Sequence, residues 1–248
     1  MSWTGTYRWL FSLLGLTILR RSLRYRVRND VQLTVKDLPA GVRMVNRVDF
    51  ILDFCTGKRV LHVGFADHPF TEERIKDGSL LHLQLKKVTS ALVGLDNEAD
   101  AISKYISLTG DQDLIDADLS SLDRVGFDSS SFDVVLLGEV LEHLPNPSQI
   151  IESMSRIFSS ETFFLVTVPN YTSLDSFAGS LNEKESVHPD HYYYFSPYTL
   201  LKLFPDARFE LQQLVFGMYF QMGKKINFVL RRFPFAGDCI IGVFKLKN

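Results

Sequence analysis

The 248-residue chain has only two cysteines, Cys55 and Cys239, with neither the close spacing of metal-ligand pairs nor the density of a disulfide framework. That excludes a disulfide-stapled secreted domain, fits a reducing, cytoplasmic compartment and gives no reason to expect a metal site. A membrane-spanning run is missing too. The longest apolar stretch, residues 9–19, is eleven residues, which as a helix would cover roughly 16 Å against about 30 Å of bilayer hydrocarbon. It has no basic segment ahead of it and no small-residue cleavage site behind it, so it is a poor signal peptide. G-x-G-x-x-G is absent, and with it the exposed helix amides that a dinucleotide pyrophosphate needs. Repeats and low-complexity tracts are absent as well. The net charge is only −2, but residues 1–30 hold six Arg against one Asp. The basic character is local, and nucleic acid is not an expected partner.

The N-terminal extension, residues 1–44, joins the apolar run to Arg20, Arg21, Arg24, Arg26 and Arg28, with Trp3, Tyr7 and Trp9 nearby. Two readings fit. Residues 1–28 either lie on an anionic membrane surface, at the inner face of the membrane, or pack as a helix over the following domain with the Arg side chains in water. The alternation of Arg24, Arg26 and Arg28 with Tyr25 and Val27, and then of Val31, Leu33 and Val35 after Asn29-Asp30, predicts a small hairpin. Residues 45–54 return to helical spacing through Val48, Ile51, Leu52 and Cys55, and Gly57 closes the helix.

From there to residue 248, short apolar runs alternate with helical spacing. Strands are predicted after Lys58, over 90–95 ending in Asp96, over 113–117, at the start of 132–147, over 163–168, over 209–216 and over 239–246. Helices are predicted over 80–88, 98–107 and 147–157, the last with Ile150, Ile151, Met154 and Ile157 inward, and a short one follows the Ser196-Pro197 start signal. This alternation gives a doubly wound α/β sheet. The segment 170–205 is long for a compact domain, which marks it as functional. Within 218–237, basic and aromatic residues interleave, as a second membrane contact or as a cover over a pocket.

The most informative stretch is FDVVLLGEVLEHLPNP, residues 132–147. Val134 to Leu137 reads as a central parallel strand buried on both faces, and Glu139, Glu142 and His143 follow at its carboxyl end, where open α/β sheets present ligands. The block resembles the fourth-strand motif of class I S-adenosylmethionine-dependent methyltransferases. The VLHVGFADHP loop and the His191 to Leu200 pattern, H-x-x-x-F-S-x-x-T-L, are similar to a branch acting on bacterial glycans and small molecules. The resemblance implies a Rossmann-like sheet of seven strands with the last antiparallel, and S-adenosylmethionine as cofactor. It places Gly64 and its neighbours under the cofactor, Asp96 on the ribose hydroxyls, Asp118 (in preference to Asp116) on the adenine, and Glu139 near the methionine end. A lid around residues 170–205 would close over a small acceptor, most simply a hydroxyl of a sugar or a lipid-linked glycan precursor.

The chain departs from the family at the cofactor loop. The acidic position is His62, which the resemblance still places among the cofactor-lining residues, and the G-x-G-x-G positions are Gly64, Ala66 and His68, so one glycine remains. A second reading therefore stands beside the enzyme: a methyltransferase-like binding protein with an eroded loop, recruited by its basic ends. His188 and His191, His191 ahead, are the candidate general bases toward an acceptor hydroxyl, because imidazole titrates near neutrality; a purely structural hydrogen-bonding role also fits both.

Overall fold

Four consecutive residues, Val134 to Leu137, are completely buried, and the sheet extends to either side of them. The structure is a computed structural model describing residues 41–124, 126, 128–185, 187–219 and 231–247, and these belong to one compact unit. The expected hairpin, the basic apolar segment and most of the basic-aromatic stretch before residue 231 lie outside the described residues. Among the described residues no helix is long and apolar enough to cross a membrane.

The elements run β1 (Met44–Asn46), α1 (Arg47–Cys55), β2 (Arg59–Val63), α2 (Thr71–Lys76), α3 (Leu81–Leu85), β3 (Ala91–Asp96), α4 (Ala99–Thr109) and β4 (Leu114–Asp116). They continue with β5 (Val134–Gly138), α5 (Pro147–Ile157), β6 (Phe163–Pro169), α6 (Leu174–Leu181), α7 (Pro197–Leu203), β7 (Phe209–Met218) and β8 (Cys239–Leu246). One mixed sheet holds all eight strands in the order β1-β7-β8-β6-β5-β2-β3-β4, with β8 antiparallel to both neighbours. The seven predicted strands are all there. The eighth, β1, pairs parallel with the end of β7, Asn46 opposite Met218. Its last residue also caps α1, since the Asn46 side chain accepts the Asp49 amide at 3.0 Å. The helix predicted over 45–54 thus begins two residues later, and the first two residues of its spacing are strand.

Strand alternation separates two cores. Leu61, Val63, Val135, Leu137, Phe164 and Val166 pack under α5 and α7, whereas Val60, Val134, Leu136, Leu165 and Ile241 pack under α1 and α3. A third cluster, Phe65, Ala66, Leu80, Ile102 and Tyr105, fills the space beneath the loop after β2. Phe65 fits there because β3 has Gly94 beneath it; a Cβ at that glycine would lie 2.7 Å from the Phe65 ring. Strand order reverses between β2 and β5, and such switch points open a crevice at the carboxyl ends of the strands.

One buried polar contact bears on stability. His62 in β2 and His82 in α3 are 2% and 0% exposed, their rings are stacked, and their Nδ1 atoms are 3.1 Å apart. One ring must donate and the other accept. Burial, then repulsion from His82 and Arg47, pushes the His62 pKa well below its usual value; burial pushes His82 down to about 4. Both imidazoles are neutral in the fold, so below pH 6.5 the unfolded chain binds more protons than the native one. Stability is then lost as pH falls from 6.5 towards about 4. For His82 the loss is on the order of 3 kcal/mol. Urea unfolding across that window should show a shallower decline for His82→Leu than for the parent chain; parallel declines would show that the pair does not govern acid stability.

Candidate functional site

The loop after β2 is shaped by one glycine and one carboxylate. Gly64 has φ +69°, and a Cβ there would sit 2.8 Å from Val140 Cγ2, so both backbone conformation and space require glycine. Its amide donates to the Leu95 carbonyl (2.8 Å). Two residues on, Ala66 donates its amide to Asp96 Oδ2 (3.0 Å) while its methyl is buried in the third core cluster. Alanine replaces the family's glycine without harm here because its side chain faces inward. Asp96, 9% exposed, accepts the Asn97 and Glu98 amides on Oδ1. Its carboxylate therefore ties the end of β3 to the loop and remains at the mouth of the crevice.

Asp118 lies just past β4, whose Asp116 pairs with Asp96 across the sheet. It is exposed, and its Oδ1 accepts the Ser120 amide at 2.7 Å. The Ser120 hydroxyl and amide hold its pKa below the usual carboxylate range. Its carboxylate thus lies two residues beyond the position that pairs with Asp96.

Glu139 stands at the end of β5 in the left-handed region, φ +58°, a conformation costly for a residue with a Cβ and tolerated where neighbours hold it. Three side chains do so. Thr167 of β6 and Tyr219 after β7 each donate a hydroxyl to one of its oxygens (2.6 Å each), and Arg47 at the start of α1 lies 3.4 Å away. Arg47 Nε also donates to the Thr167 hydroxyl (3.2 Å), and its guanidinium sits over the Tyr219 ring. Burial opposes the Arg47 charge, but Glu139 and other neighbours more than offset it, so its pKa rises. Burial, and then Glu139, raises the Tyr219 pKa, which keeps the phenol a donor. Glu142 is completely buried; burial, and then repulsion from Glu139, pushes its pKa well above the usual value, favouring the protonated acid.

The lid segment meets this region through two hydrogen bonds. The Tyr192 amide donates to the Glu142 carbonyl and the Tyr193 hydroxyl to the Pro145 carbonyl, each at 2.8 Å. They bring His188 and His191 against His143, with ring centroids 5.5 and 4.6 Å from it. Burial, then repulsion from the neighbouring imidazoles, lowers the pKa of both His143 and His191. Behind the lid, Asn170 bridges to Phe195, and Ser196 with Thr199 forms a capping box at the start of α7.

Gly64, Ala66, Asp96 and Glu139 thus converge at the crevice, Asp118 lies on its far edge, and the histidine pair at the lid. His62 does not take part. The expectation that it lines the cofactor fails because strand alternation turns its ring to the α3 face, against His82. The sequence reading missed Arg47, Thr167 and Tyr219. Thr167 left a trace, a polar residue inside an apolar strand; Arg47 was hidden in helical spacing, and Tyr219 lies beyond the predicted end of its strand.

The residues present fit a sulfonium nucleoside bearing an amino acid. The loop at Gly64 keeps its tight left-handed turn against Val140, the Asp96 carboxylate can accept from a hydroxyl through Oδ2, and Arg47 with Glu139 offers both signs of charge to a zwitterion. A family model described as a methyltransferase domain matches residues 26–214, more than half of the chain. The ubiquinone biosynthesis O-methyltransferase of Glaesserella parasuis is 25% identical over 125 residues, 47% of this chain and 48% of that protein, so the chain spans about half the length of the curated relative it matches. Among solved structures, a SAM-dependent methyltransferase from Archaeoglobus fulgidus is similar over 80% of this chain and 90% of its own (TM-score 0.50, 18% identity). An S-adenosylmethionine-dependent methyltransferase from Mesorhizobium loti matches over 80% and 95% (TM-score 0.53, 11% identity). At these identities the two structures speak to the fold, while the family model, which matches more than half of the chain, decides the assignment: the chain belongs to the methyltransferase-domain family.

Proposed function

We propose that the acceptor is a small molecule methylated on oxygen, with a hydroxyl of a sugar or glycan precursor as the best fit. The observation that carries this reading is the set of imidazoles where the lid meets the loop after β5, beside the exposed rings of Tyr192, Tyr193 and Tyr194. Imidazoles suit proton removal from a hydroxyl, and aromatic rings with polar tips suit the faces of a sugar. The O-methyltransferase relative supports a small acceptor.

Bound S-adenosylmethionine supplies an electrophilic methyl group on a sulfonium. In this proposal Asp96 accepts the ribose hydroxyls and Asp118 the adenine amino group. Arg47 holds the carboxylate of the methionine part and Glu139 its ammonium. Glu139 is fixed for that task by Thr167 and Tyr219 before any ligand arrives, so little ordering is left to binding. His191, with His188 beside it, receives the acceptor proton, and the lid excludes water from the reacting atoms.

Calorimetric titration of S-adenosylhomocysteine should give micromolar binding that Asp96→Ala weakens tenfold or more, about 1.4 kcal/mol. Undiminished affinity in the variant would remove Asp96 from the site; a melting curve on the same sample guards against simple unfolding. Arg47 is tested by contrast. Arg47→Met, with Arg47→Lys as the milder change, should weaken S-adenosylhomocysteine at least tenfold and leave methylthioadenosine, which lacks the amino-acid group, nearly unaffected. Equal losses for the two ligands would place Arg47 outside the methionine subsite.

A further inference from the structure

Three of the six histidines in the chain meet at one point. His143 ends the short 3-10 turn Leu141–His143, and His188 and His191 bracket a turn in which the His191 amide donates to the His188 carbonyl (3.1 Å). One ring nitrogen from each lies within 4.8 Å of the other two. The rings meet edge to face at 70° and 85° about His143, and the His188 and His191 centroids are 5.3 Å apart. Three bases held together repel one another when protonated and gain little when neutral. Their convergence calls for a charge that binds the lone pairs.

We infer that His143, His188 and His191 form a site for one divalent transition-metal ion of the zinc type, with a coordination position left open towards the acceptor. Three neutral imidazoles are the donor set of open zinc sites, and nitrogen donors select Zn²⁺, Co²⁺ or Ni²⁺ over Mg²⁺ and Ca²⁺, which prefer oxygen. Bonds of about 2.0–2.1 Å put tetrahedral ligand nitrogens about 3.4 Å apart, so the rings close by on the order of 1 Å as the ion enters. Most of that movement falls to His188, whose ring is exposed. His188 Nδ1 accepts the Asp190 amide at 3.3 Å, with Asp190 Oδ2 3.7 Å away; ligation through Nε2 would move the proton to Nδ1 and exchange the amide contact for one in which the N–H donates to that carboxylate. The backbone tie from Tyr192 to Glu142 fixes the spacing of His191 and His143 beforehand.

The role of the ion rests on the proposed methyl transfer, although its binding does not. A hydroxyl coordinated at the open position would release its proton to solvent water near neutral pH, which would leave its oxygen as the nucleophile and relieve His191 of acting as a base.

The test uses the untagged full chain, stripped with a chelator and titrated with ZnCl₂. A parallel titration with CoCl₂ is followed by visible absorption, where imidazole ligation gives ligand-field bands. The expected result is one ion per chain, undisturbed by excess MgCl₂. The double variant His188→Ala/His191→Ala should bind it at least a hundredfold more weakly, and Glu210→Ala, at an exposed position of β7 outside the cluster, should match the parent. S-adenosylhomocysteine is titrated into the same samples to report on the fold and the cofactor site. Folded protein that binds S-adenosylhomocysteine but takes up neither Zn²⁺ nor Co²⁺ overturns the inference, as does ion binding that survives the double variant. Ion binding lost with the double variant, in a parent that binds no S-adenosylhomocysteine, supports the metal site and counts against the methyl-transfer reading. Should the double variant not fold, His188→Ala alone carries the comparison.

Discussion

A guanidinium and a carboxylate withdrawn from water together hold the working end of this molecule. Arg47 comes from the first turn of α1, Glu139 from the loop after β5, Thr167 from β6 and Tyr219 from beyond β7. Separately, each charge would be costly to bury; paired and hydrogen-bonded, they fix four elements at one point. The strained backbone at Glu139 is tolerable because three partners hold its side chain. Burial and the neighbouring Glu139 raise the pKa of Glu142, which favours a single carboxylate charge shared by the two.

The same economy explains the depleted glycine loop. A family pattern asks for several glycines because a ligand must come close to the backbone, but the three positions are not equivalent. At Gly64 both φ and the Val140 contact forbid a side chain. At Ala66 the amide alone faces Asp96, and the methyl belongs to the core. Phe65 is made possible by Gly94 on the neighbouring strand. The glycine absent from the loop is in effect present in β3, and sequence comparison along one segment does not reveal it.

Much of the frame was legible in advance. The buried run before Glu139, the helix from Pro147 to Ile157 and the ends of β3 and β8 follow from apolar patterning and from Asn, Pro and Asp at the right places. What escaped depends on pairing across the fold. Three residues, Met44 to Asn46, carry no period of their own, and only β7 makes them a strand. His62 has the right place in its motif, but its orientation is set by strand alternation and its partner by a helix twenty residues on. His143 and His191 lie far apart in the chain, so no local spacing could join them; the Tyr192 to Glu142 hydrogen bond does.

The edge position of β1 has a kinetic side. Arg47 follows directly on a strand of three residues which, among the described residues, is held to the sheet along one side, opposite Phe216, Gly217 and Met218. Such short edges open at far lower free energy than the centre of a sheet. If β1 detaches, the start of α1 loses its cap at Asn46 and the guanidinium is left to its contacts with Thr167 and Glu139, while the strands that carry Gly64, Asp96 and Glu139 stay paired. Under the role proposed for Arg47, the amino-acid end of the crevice would be a hinged wall on a fixed floor. A ligand that engages Arg47 would latch that wall shut, and its departure would be timed by the fraying of three residues rather than by any motion of the lid.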